Sequence, residues 1–62
     1  MLTTFENLQL NDEVLFYGHQ ATVTQIEKKS DYVQFTLRGE INNVFGGAPY
    51  LYIEITNRNK ER

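Results

Sequence analysis

Cysteine and tryptophan are absent from this 62-residue chain, and histidine, methionine and proline occur once each. Without cysteine there is no disulfide and no thiolate metal site, and one histidine does not make a structural zinc centre. No cofactor or metal site is expected. Cations are also few: six Lys and Arg stand against eight Asp and Glu, for a net charge of −2. That balance argues against bulk attraction to nucleic acid or to an anionic membrane. The cations fall into Lys28-Lys29, Arg58/Lys60/Arg62 and the isolated Arg38. Neither group reaches the block size that marks a nucleic-acid arm. No stretch approaches the roughly 20 apolar residues of a membrane span. The opening MLTTFENLQL lacks the positive start and apolar run of a signal peptide, so the expected compartment is the cytoplasm.

A chain this short buries only about 60% of the surface its unfolded form exposes. With disulfides and metals excluded, it needs a dense core or self-association. Four Phe, four Tyr and many β-branched residues supply the material for such a core. The size suits one domain, residues 1–56, with a polar tail over 57–62 that is expected to fray. A stand-alone chain of this size suits an accessory or regulatory protein, such as a phage or mobile element carries.

The pattern along the chain is that of strands. Residues 1 to 11 read either as one helical turn, with Thr4 as N-cap, or as a lead-in covering the end of a barrel. Asn11-Asp12 reads as a turn. Gly18-His19 reads as the two-residue loop of a hairpin in a type II′ turn, which sets Tyr17 opposite Gln20 and Val14 opposite Val23. Val14, Phe16, Ala21 and Val23 then share the inner face, and Leu15 is the one apolar residue on the outer face.

A second turn, over Lys28 to Asp31, sets Ile26 opposite Val33 and puts Thr24, not Val23, on the inner face. The two registers conflict by one residue near Thr24-Gln25. A β-bulge there reconciles them and bends the strand.

Val33, Phe35 and Leu37 alternate inward along the third strand. Arg38-Gly39-Glu40 makes another tight turn, and Gly46-Gly47-Ala48-Pro49 reads as a mobile loop. The last strand puts Leu51, Ile53 and Ile55 on one face, with Tyr50, Tyr52 and Glu54 on the other. The expectation is an all-β chain with strands over 13–17, 20–28, 32–38, 41–45 and 50–56, forming a small barrel or sheet roll. An open antiparallel sheet covered by an N-terminal helix or by a second copy of the chain is the alternative.

The segment LQLNDEVLFYGHQATVTQI, residues 8 to 26, resembles the opening hairpin of SH3-like small barrels, including KOW-type and Tudor-like domains. Asn11-Asp12 stands where those have Gly-Asp, Gly18 is the turn glycine, and Val23 and Ile26 form the closing step. The resemblance implies an SH3-like architecture. It implies no activity, because that fold hosts many unrelated functions. The stretch carries no Lys or Arg between Asn11 and Glu27, unlike KOW hairpins.

No catalytic constellation is visible. His19, as a general base, lacks a second group to orient it, and reads as an exposed turn residue. Asp12-Glu13 and Glu40 read as solvated turn charges, since adjacent strand carboxylates point to opposite faces. Gly46-Gly47 lacks the Lys-Ser/Thr and helix of a phosphate loop.

The outward aromatics are the stronger lead. Tyr17, Tyr32, Tyr50 and Tyr52, with Phe45 and Arg38, are candidate partner-binding residues, since a tyrosine ring supplies area and its hydroxyl tolerates water. A non-enzymatic module that binds a protein partner is the expected function. The alternative is a nucleic-acid-binding barrel that stacks bases on these tyrosines, with Lys28, Lys29, Arg38 and the basic tail as cations. Ordinary cross-strand packing, or a homodimer contact, would equally account for the tyrosines.

Overall fold

A computed structural model of the chain describes residues 1–58. Residues 59–62, most of the expected tail, lie outside the described residues. Among the described residues the chain is all-β, with no α-helix. Six strands, β1 (Leu2–Thr4), β2 (Glu13–Phe16), β3 (His19–Lys28), β4 (Val33–Gly39), β5 (Asn43–Gly47) and β6 (Tyr52–Asn57), form one antiparallel sheet in the order β1-β6-β2-β3-β4-β5.

The sheet is not closed: β1 and β5 are its two edges. It is nevertheless rolled. The Cα radius of gyration is 10.5 Å, close to the roughly 11 Å that size scaling gives a packed domain of this length.

The sixth strand comes from the N-terminal lead-in. Leu2, Thr3 and Thr4 pair with Glu54, Ile53 and Tyr52, and a 3₁₀ turn over Phe5–Asn7 follows. Thr4 stands at its N-cap position without capping it, its hydroxyl accepting instead from the Asn7 amide at 2.9 Å. Phe5 and Leu8 are buried and cover one end of the roll. The lead-in is thus both strand and plug.

The first hairpin corrects one expectation. Its loop is Tyr17-Gly18, with Phe16 opposite His19 and Val14 opposite Ala21. Both loop residues have positive φ, +51° at Tyr17 and +79° at Gly18, the signature of a type I′ turn in place of II′. The reason is tertiary. The Gln20 N–H donates to Glu40 Oε1 at 2.8 Å, and the Gln20 carbonyl accepts from the Glu40 N–H at 2.9 Å. Gln20 is held to the β4–β5 connection, the loop falls one residue earlier than expected, and each residue of β2 pairs two residues earlier along β3. A slip of two preserves the parity of the strand, so the inner face stands as expected: Val14, Ala21 and Val23 are buried.

The bulge falls where the register conflict placed it. Val23 pairs with Leu37 and Gln25 with Thr36, which leaves Thr24 as the extra residue. Both Thr24 and Gln25 face solvent, after which Ile26 returns toward the core. The bend lets one long strand serve two walls of the roll. Ile26 lies opposite Phe35 in place of Val33, again a shift of two, because the next turn tightens around the Lys29 N–H to Tyr32 carbonyl bond at 2.7 Å.

Gly46 and Gly47 are strand residues, opposite Gln34 and Val33, and not a mobile loop. Close packing explains the glycines. A Cβ on Gly46 would stand 2.5 Å from the Tyr32 hydroxyl, and one on Gly47 would stand 2.9 Å from Leu51 Cδ1. Gly39 faces a harder constraint: its φ is +152°, and a Cβ would meet the Gln20 carbonyl at 2.8 Å and Ala21 Cα at 2.9 Å.

The core is the inward row of each strand (Val33, Phe35 and Leu37 from β4; Ile53 and Ile55 from β6) together with Phe5 and Leu8. Leu51 departs from its expected inner face and is 43% exposed, since β6 begins only at Tyr52.

Among the described residues Asp12 is the one buried charged residue, at 1% exposure, and not the solvated turn charge expected. Asn11, at φ +72°, turns the chain, and Asp12 O accepts from the Val23 N–H at 2.9 Å. Its carboxylate accepts from the Gln9 N–H at 2.9 Å and from Arg58 through Nε at 2.9 Å and Nη2 at 2.8 Å. Arg58 also donates to the Asn7 carbonyl at 3.1 Å. The first residue past β6 is therefore anchored. The hydrogen bond to Asp12 raises the Arg58 pKa above its ordinary value, so this guanidinium stays charged across the whole working range.

Candidate functional site

The aromatic residues form a continuous series from the core to the surface. Phe35, fully buried, meets Phe5 edge-on at 4.9 Å between ring centroids and Phe16 at 5.7 Å. Phe16 meets Phe45 at 4.8 Å and Tyr17 at 4.6 Å, both edge-on. T-shaped contacts of this kind add about 0.5–1.5 kcal/mol per pair beyond the area they bury. The outer members of the series are held in place by the core itself.

Where the sheet fails to close, these rings floor a groove of about 450 Å³. Phe5, Phe16 and Phe45 lie at its base, and Gly46 keeps one wall thin. Tyr17, 83% exposed, and Tyr52, 68% exposed, line it with Leu2, Leu15 and Leu51. Pairing explains the convergence. Leu15 and Leu2 flank Glu54 on the outer side of the β1–β6–β2 wall, and continuing that register along β6 and β2 carries Tyr52 to Tyr17. Among the described residues Glu54 is the one charged side chain in the lining, and its Oε2 lies 2.8 Å from the Met1 ammonium. Both partners of that pair are well exposed, so the contact contributes little to stability.

Of the six candidate residues, Tyr17, Phe45 and Tyr52 come together in this groove. Tyr32 lies across Gly46, with its hydroxyl donating to Gln34 Oε1 at 3.3 Å, a placement that covers bare backbone. Tyr50 is exposed in the β5–β6 connection. Arg38 stands apart, beside Thr24, Gln25 and Thr36 in a shallow polar depression on the outside of β3 and β4.

Leu2, Leu15 and Leu51 are lining residues that reasoning from sequence did not single out. Leu15, the lone apolar residue on its outer face, was the available signal. Leu2 and Leu51 carried none, because each depends on where β1 and β6 start.

The remaining chemistry is sparse. His19 is an exposed strand residue opposite Phe16. Asp12 is occupied by Arg58, and Lys29 pairs with Glu27 at 3.1 Å. Among the described residues, no group of three or more His, Cys, Asp or Glu is placed to hold a metal ion, and no helix is long and apolar enough to cross a membrane.

Taken together, the fold and the groove define a small open β-roll with an aromatic cleft at its seam. No protein-family model, curated protein or solved structure gives a significant match to the chain.

Proposed function

We propose that this chain is a non-enzymatic protein-interaction module of SH3-like architecture, working in the cytoplasm, that binds its partner in the aromatic groove. Tyr17 carries the reading. A type I′ turn favours Asn or Gly at its first central position, and a bulky side chain held at positive φ costs of order 1 kcal/mol or more. This chain places there a tyrosine that is 83% exposed, at a φ of +51°. Strain of that kind persists where the residue is needed for something other than stability. Tyr52 stands beside it with 68% of its surface open. Tyrosines on a rigid aromatic base are the usual anchors of a protein interface.

Charge separates this reading from a nucleic-acid-binding one. Among the described residues, no Lys or Arg lines the groove. Lys28 and Lys29 sit at the far end of β3, Arg38 is on the outside of β4, and Arg58 is engaged by Asp12. Among the described residues, a base stacked on Tyr17 would find no Lys or Arg beside it for its phosphates, and the Met1 ammonium is held by Glu54.

Site-specific photo-crosslinking in the native cell tests the proposal, with a benzoylphenylalanine at position 52 or, as control, at position 24 on the opposite wall. A discrete protein adduct from position 52, absent from position 24 and lost on Tyr17→Asn, supports it. Adducts that vanish with nuclease, or that form equally from both positions, refute it.

A further inference from the structure

The groove draws its lining from two parts of the chain that are held in different ways. Most of it comes from β2, β5 and β6, but Leu2 and Phe5 belong to the lead-in, residues 2–10. Within that segment the only strand is β1, three residues long, which pairs with β6 alone at the edge of the sheet. Beyond β1, the Phe5 N–H donates to the Leu51 carbonyl at 2.8 Å and the Glu6 N–H to the Pro49 carbonyl at 3.1 Å, while Phe5 and Leu8 are buried. β2, by contrast, lies between β6 and β3. A segment held by one short edge pairing opens more readily than strands paired on both sides.

The far end of the lead-in is gripped by a residue from the other end of the chain. Arg58, the first residue past β6, donates to the Asn7 carbonyl at 3.1 Å and, through Nε and Nη2, to the Asp12 carboxylate. That carboxylate also accepts from the Gln9 N–H at 2.9 Å. One guanidinium thus ties positions 7 and 9 to the buried Asp12 at the foot of β2. None of these four residues lines the groove. Arg58 is six residues along the chain from Tyr52, roughly 20 Å at strand spacing.

We propose that residues 2–10 form a strap that closes the aromatic groove, and that Arg58 is the latch that holds the strap shut. The proposal rests on the groove being the partner site and adds how that site is controlled. With Arg58 engaged, Phe5 floors the groove and Leu2 stands in its wall. With Arg58 withdrawn, the Asp12 carboxylate keeps only the Gln9 N–H, and a buried charge so poorly paired gains from reaching water. Lifting the strap gives it that access and takes Phe5 and Leu2 out of the groove. Latch and partner act on one equilibrium, so each strengthens the other: a partner resting on Phe5 also holds Arg58 on Asp12.

Native-state hydrogen exchange of the whole ¹⁵N-labelled protein, in urea below the unfolding transition, tests the strap. The Phe5, Leu8 and Gln9 amides should exchange together, at least tenfold faster than those of Phe35 and Leu37 on β4 and with a weaker dependence on urea. Arg58→Met should speed those three a further tenfold or more, and Arg58→Lys, which keeps the charge without the planar fork, by less. The wild-type comparison needs no variant, and Arg58→Lys serves if Arg58→Met does not fold. The groove is read by the photo-crosslink from position 52, whose yield per folded chain should fall at least threefold in Arg58→Met.

Exchange of both sets of amides at one rate, with one urea dependence, would mean that the chain opens only as a whole and overturns the strap. Faster exchange of the strap amides in Arg58→Met with an unchanged adduct overturns control of the groove, while leaving the groove as the partner site. Absence of the adduct from the wild-type chain overturns the partner site and its control together, and the exchange rates then decide the strap by themselves.

Discussion

Arg58→Met separates a structural tail residue from a solvated one and is the most informative single change in the chain. Methionine keeps much of the side-chain stem and removes the guanidinium. What remains is a carboxylate at 1% exposure with the Gln9 N–H as its one hydrogen-bond donor. Removing one partner of a buried pair costs about 3–5 kcal/mol, because the other charge stays buried and uncompensated. The Arg58 side chain is 19% exposed, which lets some water reach the site and sets the expectation near the lower end, about 3 kcal/mol.

A domain of this size has roughly 3–9 kcal/mol in total, at about 0.05–0.15 kcal/mol per residue. The variant therefore loses a third or more of its stability. Asp12→Ala should cost less, about 2 kcal/mol, because Arg58 then swings into solvent and only hydrogen bonds are lost. The double variant should fall short of the summed single losses by at least about 1 kcal/mol, the mark of a direct contact.

Urea unfolding followed by tyrosine fluorescence or circular dichroism measures all three. With a slope near 1 kcal/mol per molar urea, the Arg58→Met midpoint should drop by about 3 M. A drop below about 0.5 M, or additive losses in the double variant, refutes the buried-pair account.

Other changes test the turns and the bend. Gly39→Ala should cost about 2–4 kcal/mol, since the new Cβ meets the immovable backbone of Gln20 and Ala21. Gly46→Ala should cost under about 1 kcal/mol, because the half-exposed Tyr32 ring can swing aside; thermal melts of the two variants give the order directly. Tyr17→Asn trades relief of the positive φ, of order 1 kcal/mol, against the lost edge contact with Phe16, about 0.5–1.5 kcal/mol, so stability should change by less than about 1 kcal/mol while one side chain leaves the groove; a loss above about 1.5 kcal/mol would make Tyr17 a packing residue and remove the main support for the proposed function. Deleting Thr24 keeps Val23, Gln25 and Ile26 on their present faces but removes the bulge that bends β3, so stability should fall by about 1–3 kcal/mol; a deletion with an unchanged thermal melt would show that the bend is dispensable.

Much of the fold was legible in local pattern. The alternation of Val33, Phe35 and Leu37, and the parity of Val14, Ala21 and Val23, assigned inner faces that a register slip of two could not disturb. The disagreement between the Val23 and Ile26 registers located the bulge near Thr24-Gln25, and the pairing with β4 assigns it to Thr24. Such features are legible because strand geometry repeats every two residues, and a run of four or five side chains states its face without reference to the rest of the chain.

Other features were decided only by tertiary structure. The hairpin closes at Tyr17-Gly18 because Gln20 is held by Glu40, a residue 20 positions away. Asp12 is buried because Arg58 reaches it from 46 positions away. The leading residues became a strand because β6 offered them an edge, and Gly46-Gly47 became a strand because Gln34 and Val33 pair with them, while Tyr32 and Leu51 occupy the space that side chains there would need.

The groove belongs to the same class. Tyr17, Phe45 and Tyr52 are aromatic in any reading of the chain, yet they share a site only because the rolled sheet leaves its seam open between them. Composition and alternation by themselves determined that this chain is a small β domain with a given set of inward and outward side chains. Which distant residues meet, and therefore which charge is buried, which turn is strained and which aromatics form a cleft, follows from long-range closure of the roll, an energy no local stretch contains.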